Sequence, residues 1–510
     1  MTNGLVVLRS SRTCELYGFL VRKLWFNLTI DSSRTKPNPK PLRFLAEPLA
    51  GDRTTLHALR LTEVPNMIRY VGIDLHKYLI VGCILDEAGD QVGSFRLESV
   101  TSASLEQLCR THLLPEDHVV MEATTHVWAV ERALRGRVAE VVVSNPVATK
   151  AIAEAKVKTD KVDAKILAQL MRAGFLATVW KPDSYTSKLR ELSSRRSRIV
   201  GQRTAIINRI RSVLAMRLLD CPHLIPSKKG REWLKTIQIE DDARWMIESD
   251  LRMMDCIEAE INAFDARIAN EVYQDKNIKL LMTMPGVSMN VAVALLAAVG
   301  DINRFTEPEK LASYLGLVCT TRQSAKRCYH GSITKAGNVH ARSSLVQAAH
   351  TAAKDLGPLG HFFNKLRRRK AYNLAIAGVA RKIAELTWHL LKTQLPYRYA
   401  KPETVQSKLS KLRVLGSGEK RKGGLGKGVD SRTVNPKSDV KLRSLGLDEV
   451  LRKEGLPVTG DIPAGEQKHL ERIGLEQLRA KVQEPKMRLK SKPSVKKSKA
   501  SSNEREIAMK

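Results

Sequence analysis

The sequence predicts a mixed α/β domain, then a mostly helical second half, and then a basic, largely disordered tail. Three apolar runs of strand length stand close together after residue 67, and helical and strand-like segments alternate from there to residue 173. From residue 184 onward, apolar residues recur at helical spacing. Three strands followed by alternating helices and strands are typical of a mixed sheet covered by helices.

The composition limits the partners that the chain can have. Its 510 residues carry 86 Lys and Arg against 53 Asp and Glu, a net charge of +33. This excess indicates a polyanionic partner, with nucleic acid first and a membrane surface second. The most apolar stretch, residues 291–299, is far shorter than the roughly 20 residues that cross a bilayer, so we expect no spanning helix. The seven cysteines form no Cys-x-x-Cys pair, which favours a reducing cytosol and argues against a zinc cluster.

Residues 1–66 show no sustained period and no signal-peptide pattern. We expect an atypical N-terminal extension here, and Met67 as the natural start is the alternative interpretation. The α/β domain is expected over residues 67–180. Its predicted strands are 68–75, 78–85, 91–97, 118–121 and 138–143, and its predicted helices are 102–111, 126–134, 146–156 and 160–173.

Two helical regions follow. Residues 181–277 predict two long helices, broken near residue 221, that form an antiparallel or coiled-coil arm; a helical bundle with a solvated basic face explains the pattern equally well. Residues 278–398 predict a mostly helical domain. Its Pro285-Gly286 turn resembles a helix-hairpin-helix, which binds phosphate through backbone N–H groups, although an ordinary helical hairpin is an equal alternative.

Residues 399–510 are rich in Gly, Lys and Ser. This composition predicts a largely disordered basic tail with short helices around residues 448–453 and 466–482. We expect such a tail to contact nucleic-acid phosphates without sequence preference.

Four carboxylates fall at strand ends or at a helix start in the α/β domain: Asp74, Glu122, Asp160 and Asp163. Asp160 and Asp163 share a helix face because they are three residues apart. Carboxylates brought together repel one another unless a cation intervenes, and hard oxygen ligands favour Mg²⁺ or Mn²⁺. Taken singly, each acid also fits an ordinary role as a turn residue or a helix-terminal charge.

Two sets of motifs give the chain a family resemblance. The first set is Val71-Gly72-Ile73-Asp74-Leu75-His76-Lys77, Met121-Glu122-Ala123-Thr124 and Lys156-Val157-Lys158-Thr159-Asp160-Lys161-Val162-Asp163-Ala164. The second set is Pro285-Gly286-Val287, Gly300-Asp301-Ile302-Asn303-Arg304-Phe305, Tyr314-Leu315-Gly316-Leu317 and Gly331-Ser332-Ile333-Thr334-Lys335-Ala336-Gly337-Asn338. Over about residues 68–385 the chain resembles the DEDD insertion-sequence transposases, a family that includes the Piv-type DNA invertases.

The resemblance implies a RuvC-like domain of the RNase-H type and a C-terminal transposase domain. It implies that Asp74, Glu122, Asp160 and Asp163 bind Mg²⁺ or Mn²⁺. It also implies a serine nucleophile seven residues before Gly331, which is Ser324, with Ser332 and Thr334 as alternative hydroxyls. The family usually has glycine after this serine, whereas this chain has Ala325.

Basic residues surround these motifs. We expect Arg322, Lys326 and Arg327 to neutralise charge on a reacting phosphate or to dock a phosphate. The other candidate contacts to nucleic acid are Lys158, Lys161, Lys335 and Arg342.

The function implied by the resemblance is a transposase or site-specific recombinase that cuts and rejoins donor and target DNA through a phosphoserine link. A structured guide (bridge) RNA, a homodimer or tetramer, and a cytoplasmic location at the nucleoid are expected with it. The alternatives are a metal-dependent junction nuclease without a covalent intermediate and a decayed transposase that only binds nucleic acid. The motif Gly72-Ile73-Asp74 also fits an actin-like sugar kinase, but no later Gly-rich phosphate loop supports that interpretation.

Overall fold

The structure is a computed structural model that describes residues 68–152, 159–325, 327–418, 442–443, 445–484 and 487–488. The predictions for residues 1–66, for Lys158 and Lys326, and for residues 419–441 and 489–510 lie outside these residues. The chain divides into two compact units, one ending at Val179 and the next beginning at Trp180.

The first unit contains a mixed sheet of five strands in the order β3-β2-β1-β4-β5. The strands are β1 (Arg69–Leu75), β2 (Ile80–Leu85), β3 (Gln91–Leu97), β4 (Asp117–Glu122) and β5 (Glu140–Ser144). The first three are antiparallel neighbours, whereas β4 pairs in parallel with β1 and β5 pairs in parallel with β4. The mixed sheet predicted from the sequence is therefore confirmed.

Helices cover both faces of this sheet, and they are α1 (Ser102–Thr111), α2 (Val127–Leu134), α3 (Pro146–Ile152) and α4 (Asp160–Arg172). Alternate side chains of a strand point to opposite faces. Ile73 of β1 and Met121 of β4 are buried with the apolar residues of α1 and α2. On the other face, Gly72 of β1 lies so close to α4 that a methyl group there would come within 1.9 Å of the Ala164 carbonyl oxygen.

The second unit begins with two long helices, α5 (Ser184–Ala215) and α7 (Asp241–Val272), each of 32 residues. The short helix α6 (Lys228–Thr236) lies between them in sequence. Lys188 near the start of α5 pairs with Glu271 near the end of α7, and Arg209 near the end of α5 pairs with Asp250. The two helices are therefore antiparallel.

The rest of the second unit is mainly helical. Its elements are α8 (Lys276–Leu281), α9 (Met289–Val299), a 3₁₀ turn (Ile302–Arg304), α10 (Pro308–Tyr314), β6 (Cys319–Ser324), β7 (Arg327–Ile333), α11 (Val339–Ala352), α12 (Pro358–Arg367) and α13 (Tyr372–Thr393). Helix α9 is buried at every position except Asn290, so the most apolar stretch of the sequence is a core helix. Among the described helices, none combines the length and the apolar character that crossing a membrane requires.

The described part of the C-terminal segment is more ordered than the predicted tail, and it contains helices where short ones were expected, around residues 448–453 and 466–482. It forms α14 (Pro402–Ser417), α15 (Leu447–Lys453), α16 (Ala464–Arg472) and α17 (Leu478–Gln483), with two short paired strands, β8 (Leu442–Arg443) and β9 (Met487–Arg488). Leu409, Val450 and Leu470 are buried in the same core as α9. Apolar residues at helical spacing pack α14 into the core, although basic residues dominate the average composition.

Candidate metal centre and serine hairpin

Asp74 lies near the end of β1, on the sheet face that α4 covers, because Gly72 and Asp74 point to the same side. Helix α4 begins beside it. Thr159 caps the helix by accepting a hydrogen bond from the backbone N–H of Val162, which places Asp160 and Asp163 in the first turn. The strand end and the helix start thus bring their carboxylates to one place.

A histidine completes this group. His76 Nε2 lies 3.2 Å from Asp74 Oδ2 and 3.5 Å from Asp160 Oδ1. The possible ligand atoms of Asp74, His76 and Asp160 all lie within 4.8 Å of one another. The ring of His126 reaches the same loop, with its Nε2 2.9 Å from the carbonyl oxygen of His76. Sequence reasoning missed His76 as a site residue, although it stands two positions after Asp74 in the first motif.

The electrostatics of the group favour a cation. Burial raises the pKa of the Asp74 carboxyl above its ordinary value, and the charges of Asp160 and Asp163 raise this pKa further, whereas His76 lowers it. Crowded carboxylates of this kind are stabilised when a cation neutralises them. The donor set of two carboxylates and one imidazole fits a divalent metal ion.

The other two predicted acids lie outside this close group. Ile73 of β1 and Met121 of β4 are paired neighbours, and both point into the core on the same face of the sheet. The residues that follow them, Asp74 and Glu122, therefore both point to the other face. Asp163 lies one turn further along α4 than Asp160 and is half-buried. The structure therefore places both acids on the same side of the sheet, and their role as ligands stays a prediction.

Ser324 ends the first strand of an exposed hairpin in the second unit. In the register of β6 and β7, Ser324 is opposite Arg327 and Arg322 is opposite Tyr329. Directly opposed residues point to the same face, and so do alternate residues of one strand. Ser324 therefore shares its face of the hairpin with two guanidinium groups and one phenol. All six residues of β6 are exposed, so the serine hydroxyl is open to a large substrate.

The hairpin turns at Ala325, which has a φ of 48°. This is the left-handed region, where glycine is free of the strain that a Cβ introduces. Ala325, where the family usually has glycine, therefore adopts a left-handed backbone conformation that is unfavourable for alanine.

The remaining predicted residues have separate environments. Lys161 is exposed in the first turn of α4, and Lys335 is exposed after β7 with a φ of 55°. Arg342 in α11 donates to the carbonyl oxygens of Leu315 and Ala336, at 3.3 and 3.1 Å. Its guanidinium thus holds the loop before α11, a contact that the sequence did not reveal.

Two family models match this chain. One, described as a transposase of the DEDD IS110 type, matches residues 71–216, and the other, described as a transposase of the IS116/IS110/IS902 family, matches residues 278–361. The first range contains all four acids and the second contains Ser324. The chain is therefore similar to transposases of the IS110 type over both matched ranges. The family resemblance expected from the motifs is therefore confirmed.

The relatives that the chain matches are distant, and the matched regions cover most of each relative's length. The chain is 26% identical over 352 residues to a transposase for insertion sequence element IS1111A from Coxiella burnetii, covering 65% of this chain and 92% of that protein. It is 26% identical over 341 residues to a putative transposase of Sinorhizobium fredii, covering 65% and 80%. It is also 24% identical over 344 residues to a pilin gene-inverting protein of Moraxella bovis, covering 64% and 97%.

Proposed function

We propose that this protein is the transposase of a mobile element and that it cuts and rejoins DNA through a phosphoserine link at Ser324. The observation that carries the proposal is the Asp74–His76–Asp160 group at the end of β1, in a chain that also presents Ser324 on an exposed, arginine-bearing hairpin. The Moraxella relatives are named for inverting a pilin gene, and inversion requires rejoining of strands. This supports recombination over cleavage alone.

The chemistry proposed for Ser324 conserves the energy of the phosphodiester. The Ser324 oxygen attacks phosphorus, the bond from phosphorus to the 3′ oxygen breaks, and the proton lost by the serine is balanced by the one that the leaving 3′-hydroxyl takes up. One phosphodiester is exchanged for another, so the reverse attack by a 3′-hydroxyl rejoins the strand without ATP. Arg322 and Arg327 share the serine's face and would neutralise the charge that develops on the phosphate.

The acidic group is the proposed metal site. Asp74 and Asp160 would hold Mg²⁺ or Mn²⁺, with Glu122 and Asp163 as further ligands. A bound divalent cation supplies neutralisation of phosphate charge and polarisation of a phosphate oxygen. His76 lies within reach of both central carboxylates and would supply the imidazole of this donor set.

The proposed partners are donor and target DNA and a structured guide RNA, acting on a homodimer or tetramer. The net charge of +33 supports polyanionic partners, because each phosphate contact releases counterions from the nucleic acid. The exposed Lys161 and Lys335 are available for such contacts.

Ser324→Ala tests the covalent step. Wild-type protein with its copurified RNA, cognate DNA and Mg²⁺ should form a protein–DNA adduct that survives denaturing electrophoresis, and Ser324→Ala should form none because the attacking oxygen is absent. Ser332→Ala is the matched control, since Ser332 is an exposed serine in the neighbouring strand β7. An adduct that persists in Ser324→Ala would assign the nucleophile elsewhere, and Mg²⁺-dependent cutting without any adduct would favour a junction nuclease.

A further inference from the structure

A polar cavity of about 310 Å³ lies within the second unit, apart from the residues of the serine hairpin. It is bounded by α5, by the first residues of α9 and α11, and by Ile261 of α7. Its polar lining includes Ser193, Arg196, Arg203, Asn290, His340 and Ser344. Six polar side chains converging among four helices are more than apolar packing requires.

Two atoms in this lining are buried without a hydrogen-bond partner in the described part of the chain: Arg203 Nε and Asn290 Oδ1. The orientation of the Asn290 amide is fixed, because its Nδ2 donates to Asp265 Oδ1 at 3.0 Å and a carboxylate only accepts. An unpaired buried donor or acceptor costs about 1–3 kcal/mol. The cavity therefore offers one cationic donor and one acceptor to a ligand that carries the complementary groups.

The charges around the cavity favour an anion. Arg196 is paired with Asp265 across α5 and α7, so these two charges cancel. Burial lowers the pKa of His340, and the charge of Arg196 lowers it further, so the imidazole is predominantly neutral at pH 7. Arg203 makes no ion pair with the described residues and leaves a positive charge facing the cavity. The starts of α9 and α11 add the positive ends of two helix dipoles.

We propose that this cavity binds one nucleotide unit of a single strand, with its phosphodiester on Arg203 and a donor group of its base or sugar on Asn290 Oδ1. The volume of about 310 Å³ lies at the lower end of the roughly 300–1,000 Å³ typical of small-ligand sites, which suits one nucleotide and excludes a duplex. Turning a nucleotide out of its stack into a pocket costs least in a single strand. The inference rests on the proposed nucleic-acid partners and adds to them a defined binding site.

The test compares two arginines of α5. Arg203 lines the cavity, whereas Arg198 lies exposed on the same helix, so Arg203→Ala and Arg198→Ala remove the same charge. Binding of the full-length protein, freed of nucleic acid in high salt, is measured by fluorescence anisotropy with labelled 12-nucleotide single strands and with a duplex. We expect Arg203→Ala to weaken single-strand binding at least tenfold more than Arg198→Ala, with equal effects on the duplex.

Comparing RNA and DNA single strands shows whether the bound nucleotide comes from a guide RNA or from the DNA substrate. A larger loss with an RNA strand identifies a guide RNA as the source, a larger loss with a DNA strand identifies the substrate, and both support the cavity. Thermal unfolding checks that each variant folds. If Arg203→Ala unfolds, Arg203→Lys, which keeps the charge but loses the Nε donor, should fold and still bind the single strand several-fold more weakly than wild type.

Equal binding by the Arg203 and Arg198 variants overturns the inference. The measurement needs neither Mg²⁺ nor strand cleavage, so it is independent of the adduct at Ser324. If the Arg203 and Arg198 variants bind equally and the adduct still depends on Ser324, the cavity is not a nucleotide site and the proposed function stands. If wild-type protein forms no adduct but its single-strand binding depends on Arg203, the cavity is supported and the proposed covalent function is wrong.

Discussion

At the residue scale, Ala325 and Lys408 each occupy a position that is unfavourable for their type of side chain. Ala325 takes the left-handed conformation at the turn of the serine hairpin. Lys408 of α14 is half-buried beside the Pro285-Gly286 turn, where its Nζ donates to the carbonyl oxygens of Met284 and Val287, at 2.8 and 3.0 Å. Each carries a cost that a substitution can measure.

Ala325→Gly should stabilise the serine hairpin by about 1 kcal/mol, because glycine adopts a positive φ without a Cβ clash. The measurement is amide hydrogen exchange over residues 319–333, which should slow several-fold. Ala336→Gly is the control, since Ala336 is exposed near the hairpin and is not among the residues with positive φ. Exchange that accelerates equally in both variants would contradict the strain at Ala325.

Lys408→Met tests the buried amine through pH. Burial lowers the pKa of Lys408 from 10.5 to about 7. Above pH 7 the unfolded chain therefore binds a proton that the folded chain has lost, and stability rises with pH. Between pH 7 and 9 the free energy of unfolding of wild type should rise by about 2 kcal/mol relative to Lys408→Met.

The control for this measurement is Lys411→Met, which changes an exposed lysine of the same helix. Denaturant unfolding at several pH values should give Lys411→Met the wild-type pH dependence. If the Lys408 and Lys411 variants show the same dependence, Lys408 is charged in the folded protein.

At the scale of elements, the position of α4 on the sheet determines the acidic group. The helix approaches β1 closely because Gly72 has no side chain and because Ala164 and Ala168 are small and fully buried. The same approach carries Asp160 to Asp74. Gly72 therefore allows both the close packing of α4 on the sheet and the approach of Asp160 to Asp74.

Gly72→Ala should displace α4, since the added methyl group would lie 1.9 Å from the Ala164 carbonyl oxygen. We expect a loss of about 2 kcal/mol in the free energy of unfolding of the first unit and weaker Mn²⁺ binding in calorimetry. Gly93→Ala in the edge strand β3 is the control, because its nearest neighbour at 3.3 Å is the flexible end of Ile84. Unchanged Mn²⁺ binding in Gly72→Ala would show that the position of α4 does not determine the metal site.

At the scale of the whole molecule, the large positive net charge and the apolar core involve different residues. The net charge of +33 is carried on a chain whose second unit has a large apolar core with residues from α5 to α17, and a smaller apolar cluster formed by α5, α6 and α7. Stability therefore depends on packing, and the surface charge is available for partners. In the first unit the acidic group stands out, since several carboxylates crowd together in a chain whose net charge is strongly positive.

A divalent metal should raise the melting temperature of the wild-type protein, because it binds the folded acidic group and not the unfolded chain. At 100 times the dissociation constant the gain is about 2.7 kcal/mol. Asp74→Asn should abolish this shift and should raise the melting temperature in EDTA, since a neutral amide removes the repulsion from Asp160 and Asp163.

The control for metal binding is Asp90→Asn, which removes an exposed carboxylate between β2 and β3. Differential scanning fluorimetry with Mg²⁺, with Mn²⁺ and with EDTA gives the comparison. A metal-dependent shift in Asp74→Asn as large as that of wild type would exclude Asp74 as a ligand.

The sequence by itself determined the mixed sheet, its strands to within a few residues, the family motifs and the carboxylates of Asp74 and Asp160, because strand alternation, helix caps and motif spacing are local properties. Only the tertiary structure decided that His76 joins these acids, that Arg342 holds a loop, that Arg203 and Asn290 face one cavity, and that α14 belongs to the core. These depend on contacts between residues far apart in sequence, which a local period does not encode. Helix α14 was hidden for a related reason: an average dominated by lysine and glycine conceals the few leucines that burial selects. The short helices around residues 448–453 and 466–482 were expected from the sequence.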